Sequence, residues 1–138
     1  MNHKGTKDTK EKSDQLSNRI VGAAIEVHRT LGPGLLEVAY ETALCHELNQ
    51  RRIRFERQKH LPVAYKGVRL DCHFRVDLLV EELVIVEIKA VERIEPLFKA
   101  QLLTYLKQTG LWLGLLLNFN VPVMKAGITR MVNDFNSL

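Results

Sequence analysis

The sequence lacks the segments that would carry a chain into or across a membrane. No apolar run approaches the roughly 20 residues that span a bilayer, and residues 1–15 contain no apolar stretch of the kind found in signal peptides. Cysteine is scarce, since the 138 residues include only Cys45 and Cys72, and no motif pairs them. We therefore expect a reduced, cytoplasmic protein with no membrane partner.

Basic residues are in small excess over acidic residues. The formal net charge is +4 and the sequence pI is about 9.2, a mild basic bias that is compatible with a polyanionic partner but does not identify one. The hydrophobic share of 46% and the charged share of 26% are typical of a globular domain. The length fits one domain with a real core.

The first half of the chain predicts a tail followed by two helices. Residues 1–13 are Lys-rich and lack apolar periodicity, so we expect a disordered tail there and a single domain over residues 14–138. Apolar residues at helical spacing predict one helix from Asp14 to the Gly-Pro-Gly sequence at 32–34, and a second helix over about 35–50.

The second half of the chain predicts three strands, a helix and a further strand, which lie over residues 55–65, 68–80, 83–88, 96–109 and 111–119. Residues 127–132 fit either a short strand or a turn of helix. The order helix, helix, strand, strand, strand, helix, strand indicates an α/β (α+β) domain with one mixed sheet.

Two central apolar runs carry charged residues that a buried strand normally excludes. Asp77 interrupts the run 74–80, and Glu87 and Lys89 end the run 83–88. A hard cation such as Mg²⁺ binds carboxylate oxygens and takes its other ligands from water and phosphate. Asp77 and Glu87 are therefore candidate metal ligands, and Lys89, on the same strand face as Glu87, can orient a water or stabilise charge on phosphorus.

The two carboxylates converge only if the hairpin between them has a particular length. With a two-residue loop at Glu81 and Glu82, Val76 would oppose Glu87, and Asp77 would point to the other face. We therefore predict a loop of about three residues, or a bulge, in place of a tight turn. The alternative without a site is a Glu87–Lys89 ion pair at the strand end, with Asp77 capping a neighbouring group.

Glu37 and Glu41 share one face of the second helix with Leu44 and Leu48. Either both glutamates lie in water at the favourable end of the helix dipole, or they line a cavity that holds a cation. The pattern alone leaves both interpretations open.

Two further polar groups allow two interpretations each. The basic residues between Arg51 and His60 fit either a solvated loop and strand edge or a contact with a phosphate backbone. Gln101 and Tyr105 lie one turn apart on the helix 96–109, and core packing with the hydroxyl at the rim accounts for the tyrosine without a functional role.

Five segments of the chain resemble the GxxExxY family of the PD-(D/E)xK nuclease superfamily over roughly residues 16–132. These segments read GPGLLEVAYE, FRVDLLVE, IVEIKA, AQLLTYL and LGLLLNFN. The motif that names the family falls on Gly34, Glu37 and Tyr40. One departure is Val76, which stands where the superfamily motif has proline before Asp77.

This resemblance implies a restriction-endonuclease-like domain that hydrolyses phosphodiester bonds in DNA with Mg²⁺ (or Mn²⁺). Asp77 and Glu87 would bind the metal, and Lys89 would be the catalytic lysine. Glu37, with Glu41, would complete the metal or water shell. Gln101 and Tyr105 are similar to the Q-x3-Y element of RecB-like members, which steadies the site or the DNA.

Three functional hypotheses follow. The first is a metal-dependent nuclease acting on DNA, with a homodimer as one arrangement. The second is a nucleic-acid-binding or protein-interaction module that kept the fold without turnover. In the third, the charged residues form a buried network whose role is structural only.

Overall fold

A mixed five-stranded sheet organises the protein in the computed structural model, which describes residues 6–134. The strands lie side by side in chain order, and only β3 and β4 run parallel among the described strands. Their bounds are β1 (Phe55–Tyr65), β2 (Val68–Val80), β3 (Val84–Lys89), β4 (Leu113–Asn118) and β5 (Ile128–Val132). A parallel pair needs a crossover connection, and the third helix provides it.

Three helices cover the two faces of the sheet, with bounds α1 (Lys7–Leu31), α2 (Glu37–Gln50) and α3 (Pro96–Thr109). One core lies between α1, α2 and the sheet, and it contains Val84, Val86 and Ile88 of β3. The other core lies under α3 and contains Ile85. Because side chains alternate along a strand, this pattern assigns Glu87 and Lys89 to the face that α3 covers.

The first helix begins earlier than the sequence pattern predicted. Thr6 caps its N-terminus, since the Thr6 hydroxyl accepts a hydrogen bond from the Thr9 amide at 3.2 Å. Residues 7–13 are therefore helical where we expected a disordered tail. Ser13 is buried in this segment, and an apolar periodicity does not detect a buried polar residue. Residues 1–5 of the predicted tail lie outside the described residues.

The C-terminal part contains one strand more than the predicted order. A short 3₁₀ turn, Met124–Gly127, leads into β5, which pairs antiparallel with β4. Of the two interpretations of residues 127–132, the strand is therefore correct. None of the helices within residues 6–134 combines the length and the apolar character that a bilayer crossing requires.

Close packing brings α3 onto the sheet. A Cβ added to Gly114 of β4 would lie 2.8 Å from Leu102 Cδ1, so a larger residue here would force the Leu102 side chain to move. Pro96 occupies the first turn of the helix, and Gly110 ends it in the left-handed conformation. The sequence prediction of α3 is confirmed at both ends.

Candidate functional site

A three-residue loop joins β2 to β3. The strand register pairs Leu78 with Val86 and Val80 with Val84, which leaves residues 81–83 in the loop. Glu81 and Glu82 have φ angles of 52° and 57°, and Leu83 N donates to Val80 O at 2.9 Å. The predicted loop length is confirmed. Continued by one residue, this register would set Asp77 opposite Glu87, and the hydrogen bond from Asp77 N to the Glu87 carboxylate shows that the two residues are neighbours.

Beyond the Leu78–Val86 pair, hydrogen bonds from backbone amides to side chains replace the backbone ladder between β2 and β3. Asp77 N donates to Glu87 Oε2 at 2.7 Å, and Ile88 N donates to Asp77 Oδ2 at 2.8 Å. Each carboxylate therefore bridges the two strands where the backbone ladder ends. An amide of β2 holds the Glu87 carboxylate, and an amide of β3 holds the Asp77 carboxylate. The pairing of the two strands therefore brings the two carboxylates together.

Burial makes this pair electrostatically costly. Glu87 is 6% exposed, and burial together with the Asp77 charge raises the pKa of Glu87 to about 8. Burial also raises the pKa of Asp77, and the Glu41 charge adds to that effect. Two carboxylates held together in a low-dielectric setting favour a proton or a cation between them.

The donor set fits a hard divalent cation that keeps much of its water. Within residues 6–134, no group of three or more His, Cys, Asp or Glu side chains is arranged to hold a metal ion. Mg²⁺ is commonly bound by one or two carboxylates, with waters and substrate phosphate completing the shell, whereas Ca²⁺ takes six to eight oxygens. The pair Asp77 and Glu87 therefore fits Mg²⁺ better than a cation that needs an all-protein cage.

Gln58 of β1 connects the pair to α2, and the sequence reasoning missed it. Its Nε2 donates to both Glu41 carboxylate oxygens, at 2.9 and 3.0 Å, and to Asp77 Oδ1 at 3.3 Å. Gln58 has a φ of 53°, which is uncommon for a residue other than glycine. The register that pairs Arg57 with Leu78 and Lys59 with Val76 sets Gln58 opposite Asp77.

Glu41 lies beside the pair, and Glu37 does not. Glu41 is 8% exposed, and Arg57 Nε lies 2.5 Å from its Oε2. Its link to Asp77 runs through Gln58. Glu37, the first residue of α2, is exposed and forms no ion pair among residues 6–134. Neither interpretation of the helix face holds for both glutamates, because Glu41 lies beside the carboxylate pair whereas Glu37 is exposed to solvent.

Lys89 extends from the same face of β3. Its Nζ lies 4.5 Å from the centroid of the Phe98 ring, a cation–π contact that holds the ammonium beside α3. Burial dominates the pKa shifts of Asp77 and Glu87, and the Lys89 charge opposes both shifts. No Glu87–Lys89 ion pair forms in the described part of the chain, so this alternative to a site is not supported.

Tyr105 of α3 reaches the site, whereas Gln101 stays in solvent. The Tyr105 ring stacks on Phe74 with centroids 4.6 Å apart. Burial raises the pKa of the Tyr105 hydroxyl, and the charges of Glu87 and Asp77 add to the effect. Gln101 is exposed. The tyrosine thus packs against Phe74, and its hydroxyl lies close enough to the carboxylates for their charges to act on it.

Tyr40 fixes the loop between α1 and α2. Its side chain is fully buried and stacks on Phe119, with ring centroids 4.7 Å apart. Its hydroxyl donates to Gly32 O at 2.7 Å and accepts from Leu35 N at 3.0 Å. Gly34 has a φ of 101°, a value that favours glycine. The tyrosine therefore sets where α2 starts, and with it the position of Glu41.

Asn118 fixes the segment that follows Lys89. At the end of β4, its Oδ1 accepts from Val91 N at 3.0 Å, and its Nδ2 donates to Val91 O at 2.9 Å. Phe119 N also donates to Lys89 O at 2.9 Å. Sequence reasoning did not single out Asn118, although a polar residue at the end of an apolar strand was the available signal.

Most of the basic cluster after α2 is neutralised. Four of its side chains form ion pairs with carboxylates: Arg51 with Glu47, Arg54 with Glu81, Arg57 with Glu41, and Lys59 with Glu56. These pairs favour the interpretation as a solvated loop and strand edge over a phosphate-binding patch.

The fold and the site together define a restriction-endonuclease-like domain, because a mixed α/β core places paired carboxylates and a lysine on adjacent strands. A family model of the PD-(D/E)XK nuclease superfamily matches residues 14–131, and the chain belongs to that superfamily. Nucleases of this superfamily are generally dependent on divalent metal ions. Comparison with curated proteins and with solved structures gave no significant match.

Proposed function

We propose that the protein is a Mg²⁺-dependent nuclease that hydrolyses phosphodiester bonds in DNA at the site of Asp77, Glu87 and Lys89. One observation carries the proposal. The exchange of hydrogen bonds between β2 and β3 brings the buried Glu87 carboxylate and the partly buried Asp77 carboxylate together, and their raised pKa values are the electrostatic signature of a site that favours a cation.

Each side chain has a role that its position supports. When bound, Mg²⁺ would polarise the phosphate and acidify a coordinated water. Asp77 and Glu87 would hold the ion, and the Lys89 ammonium would donate to a phosphate oxygen as negative charge builds up. Tyr105 would offer its hydroxyl from the α3 side.

Glu41 and Gln58 support this arrangement from the other side. Gln58 fixes Asp77 Oδ1, and Glu41 fixes Gln58 through both of its oxygens. Such outer partners orient the groups that bind an ion. Glu37 and Gln101 are exposed, and we assign them no metal ligation.

Cleavage assays with supercoiled plasmid and with single-stranded DNA test the proposal. We expect product with Mg²⁺ or Mn²⁺ and none with a chelator. Asp77→Ala and Lys89→Ala should each lower the rate by about 10²–10³-fold. Lys107→Ala, on an exposed part of α3, is the charge-matched control and should cleave like wild type. Equal product from wild type and Lys89→Ala would contradict the proposal.

One observation favours a non-catalytic alternative. Backbone amides and Gln58 already hydrogen-bond three of the four oxygens of Asp77 and Glu87, as a purely structural network would require. The same network is compatible with a nucleic-acid-binding module that kept the fold without turnover. Such a module would bind DNA, and Asp77→Ala would retain that binding. Wild type would then cleave neither DNA nor RNA with any divalent cation.

A further inference from the structure

The β1–β2 hairpin continues beyond the site as a two-stranded ribbon. β2 contains 13 residues and β3 only 6. The pairing of β1 with β2 runs on from Lys59–Val76 to Tyr65–Val68, whereas the pairing of β2 with β3 ends at Leu78. We call residues 60–75 the ribbon. Lys66 and Gly67, with φ angles of 50° and 78°, form its tight turn.

One face of the ribbon is anchored to α3. Leu61 and Phe74 pack against the core under this helix. Gln108 holds the backbone of Ala64 at both groups, since Ala64 N donates to its Oε1 at 2.8 Å and its Nε2 donates to Ala64 O at 3.1 Å. The ribbon is therefore a positioned element, and its opposite face remains available.

The opposite face is basic. The register pairs His60 with Arg75 and Pro62 with His73, and residues opposed across a ladder share a face. Beyond a register shift between Pro62 and Ala64, it pairs Ala64 with Arg69 near the tip. The His60 and His73 rings meet edge to face with centroids 6.3 Å apart. All four basic side chains are exposed, and neither arginine forms an ion pair among residues 6–134.

This unpaired charge differs from that of the cluster after α2. There, four cationic side chains are each matched by a carboxylate. On the ribbon, Asp71 is the only acidic residue. The ribbon therefore carries positive charge without matching carboxylates, and an anionic ligand would complement it.

The ribbon runs directly into the strand positions of the site. From the His60–Arg75 pair, two positions towards the N-terminus on β1 and two positions towards the C-terminus on β2 reach Gln58 and Asp77, whose side chains are hydrogen-bonded at 3.3 Å. From Gln58 to the turn, the strand spans about 23 Å at about 3.3 Å per residue. That length corresponds to about seven base pairs of a duplex.

We propose that this face of the ribbon binds the phosphate backbone of the DNA substrate on one side of the scissile bond. The inference rests on the proposed function and adds the path of the substrate. Arg69 and Arg75 contact phosphates, and the two histidines donate further hydrogen bonds. The tip presents Tyr65, which is 58% exposed, with the Lys66 ammonium 5.3 Å from its ring centroid.

Binding of a fluorescent duplex of about 20 base pairs tests this path through its salt dependence. The double variant Arg69→Gln with Arg75→Gln should bind about ten-fold more weakly, and its slope of log affinity against log salt should fall in magnitude by about 1.8. Lys107→Gln with Lys125→Gln removes the same charge from exposed positions elsewhere and should match wild type. Thermal unfolding of each variant checks its folding.

Cleavage of duplexes with flanks of different length provides the second readout. Wild type should prefer a flank of about 12 base pairs over one of about 4, because only the longer flank reaches along the ribbon. The arginine variant should lose this preference, with a rise in KM that exceeds any fall in kcat.

The outcomes separate this inference from the proposed function. If the arginine variant keeps the affinity, salt slope and flank preference of wild type while Mg²⁺-dependent cleavage occurs, the ribbon proposal is overturned and the nuclease proposal stands. If wild type cleaves nothing but the variant loses DNA affinity, the ribbon binds DNA and the nuclease proposal fails.

Discussion

Glu87 accepts a hydrogen bond from the backbone amide of Asp77, and the Asp77 carboxylate accepts one from Ile88, the residue after Glu87. This reciprocal exchange takes the place of the backbone ladder between β2 and β3. It holds the buried Glu87 carboxylate and the partly buried Asp77 carboxylate against their mutual repulsion, which is an unfavourable arrangement unless a proton or a cation relieves it.

The first prediction concerns the pH dependence of stability without metal. The pKa of Glu87 is about 8 in the folded protein against an ordinary value of 4.5. Between these values the folded state binds more protons than the unfolded state, so the free energy of unfolding falls as pH rises, by up to about 1.4 kcal/mol per pH unit. Below the lower value, the carboxyl is protonated in both states.

Glu87→Gln isolates this effect. The amide oxygen of glutamine can still accept from Asp77 N, but the side chain no longer titrates. Urea unfolding with a chelator from about pH 5 to about pH 8 should show a clearly smaller loss of stability in Glu87→Gln than in wild type. Identical pH profiles would contradict the raised pKa.

The second prediction concerns stabilisation by metal. Mg²⁺ or Mn²⁺ at about 100 times its dissociation constant should stabilise wild type by about 2.7 kcal/mol, and thermal unfolding should detect the shift. Asp77→Asn and Glu87→Gln should lose most of it because each removes a charged ligand. Glu37→Gln, which alters an exposed residue away from the pair, should respond like wild type. A full loss of response in Glu37→Gln would place that acid in the metal shell.

The third prediction concerns Gln58. Gln58→Ala removes the donor that joins Asp77 to Glu41, and loss of such an outer partner typically lowers metal affinity or activity by about 10–100-fold. Calorimetric titration with Mn²⁺ measures the affinity directly. Gln50→Ala, at an exposed position on α2, should bind Mn²⁺ like wild type. An unchanged affinity in Gln58→Ala would show that the bridge does not position Asp77.

The fourth prediction concerns Tyr40. Tyr40→Phe keeps the stacking on Phe119 but leaves Gly32 O and Leu35 N without the hydroxyl. Both hydrogen bonds are only part-buried, and the loss of one such bond typically costs about 0.5–1.5 kcal/mol, which urea unfolding can resolve. Tyr65→Phe removes the hydroxyl of an exposed tyrosine and should change stability by less than about 0.5 kcal/mol. Equal stability of Tyr40→Phe and wild type would show that the loop does not depend on this hydroxyl.

The centre of the site could be predicted because it depends on simple strand geometry. Charges inside apolar runs marked Asp77 and Glu87, and the alternation of side chains required an odd loop length between them. The register confirms that requirement. Residue type, spacing and face were sufficient to bring these two side chains together.

The surroundings of the site could not be predicted in the same way. Gln58 reaches Asp77 from a left-handed backbone conformation, and glutamine gives no sequence signal for that conformation. Glu37 and Glu41 share a helix face, yet only Glu41 is buried, because Arg57 and Gln58 reach it from β1. The position of β1 relative to α2 depends on tertiary packing, which helical periodicity does not contain.

Crystals of wild type soaked with Mn²⁺ test the central claim most directly. The account predicts one anomalous peak in contact with the carboxylates of Asp77 and Glu87, and no peak there in Asp77→Asn crystals soaked in the same way. A manganese ion bound elsewhere, with the two carboxylates still joined only to the backbone amides, would contradict it.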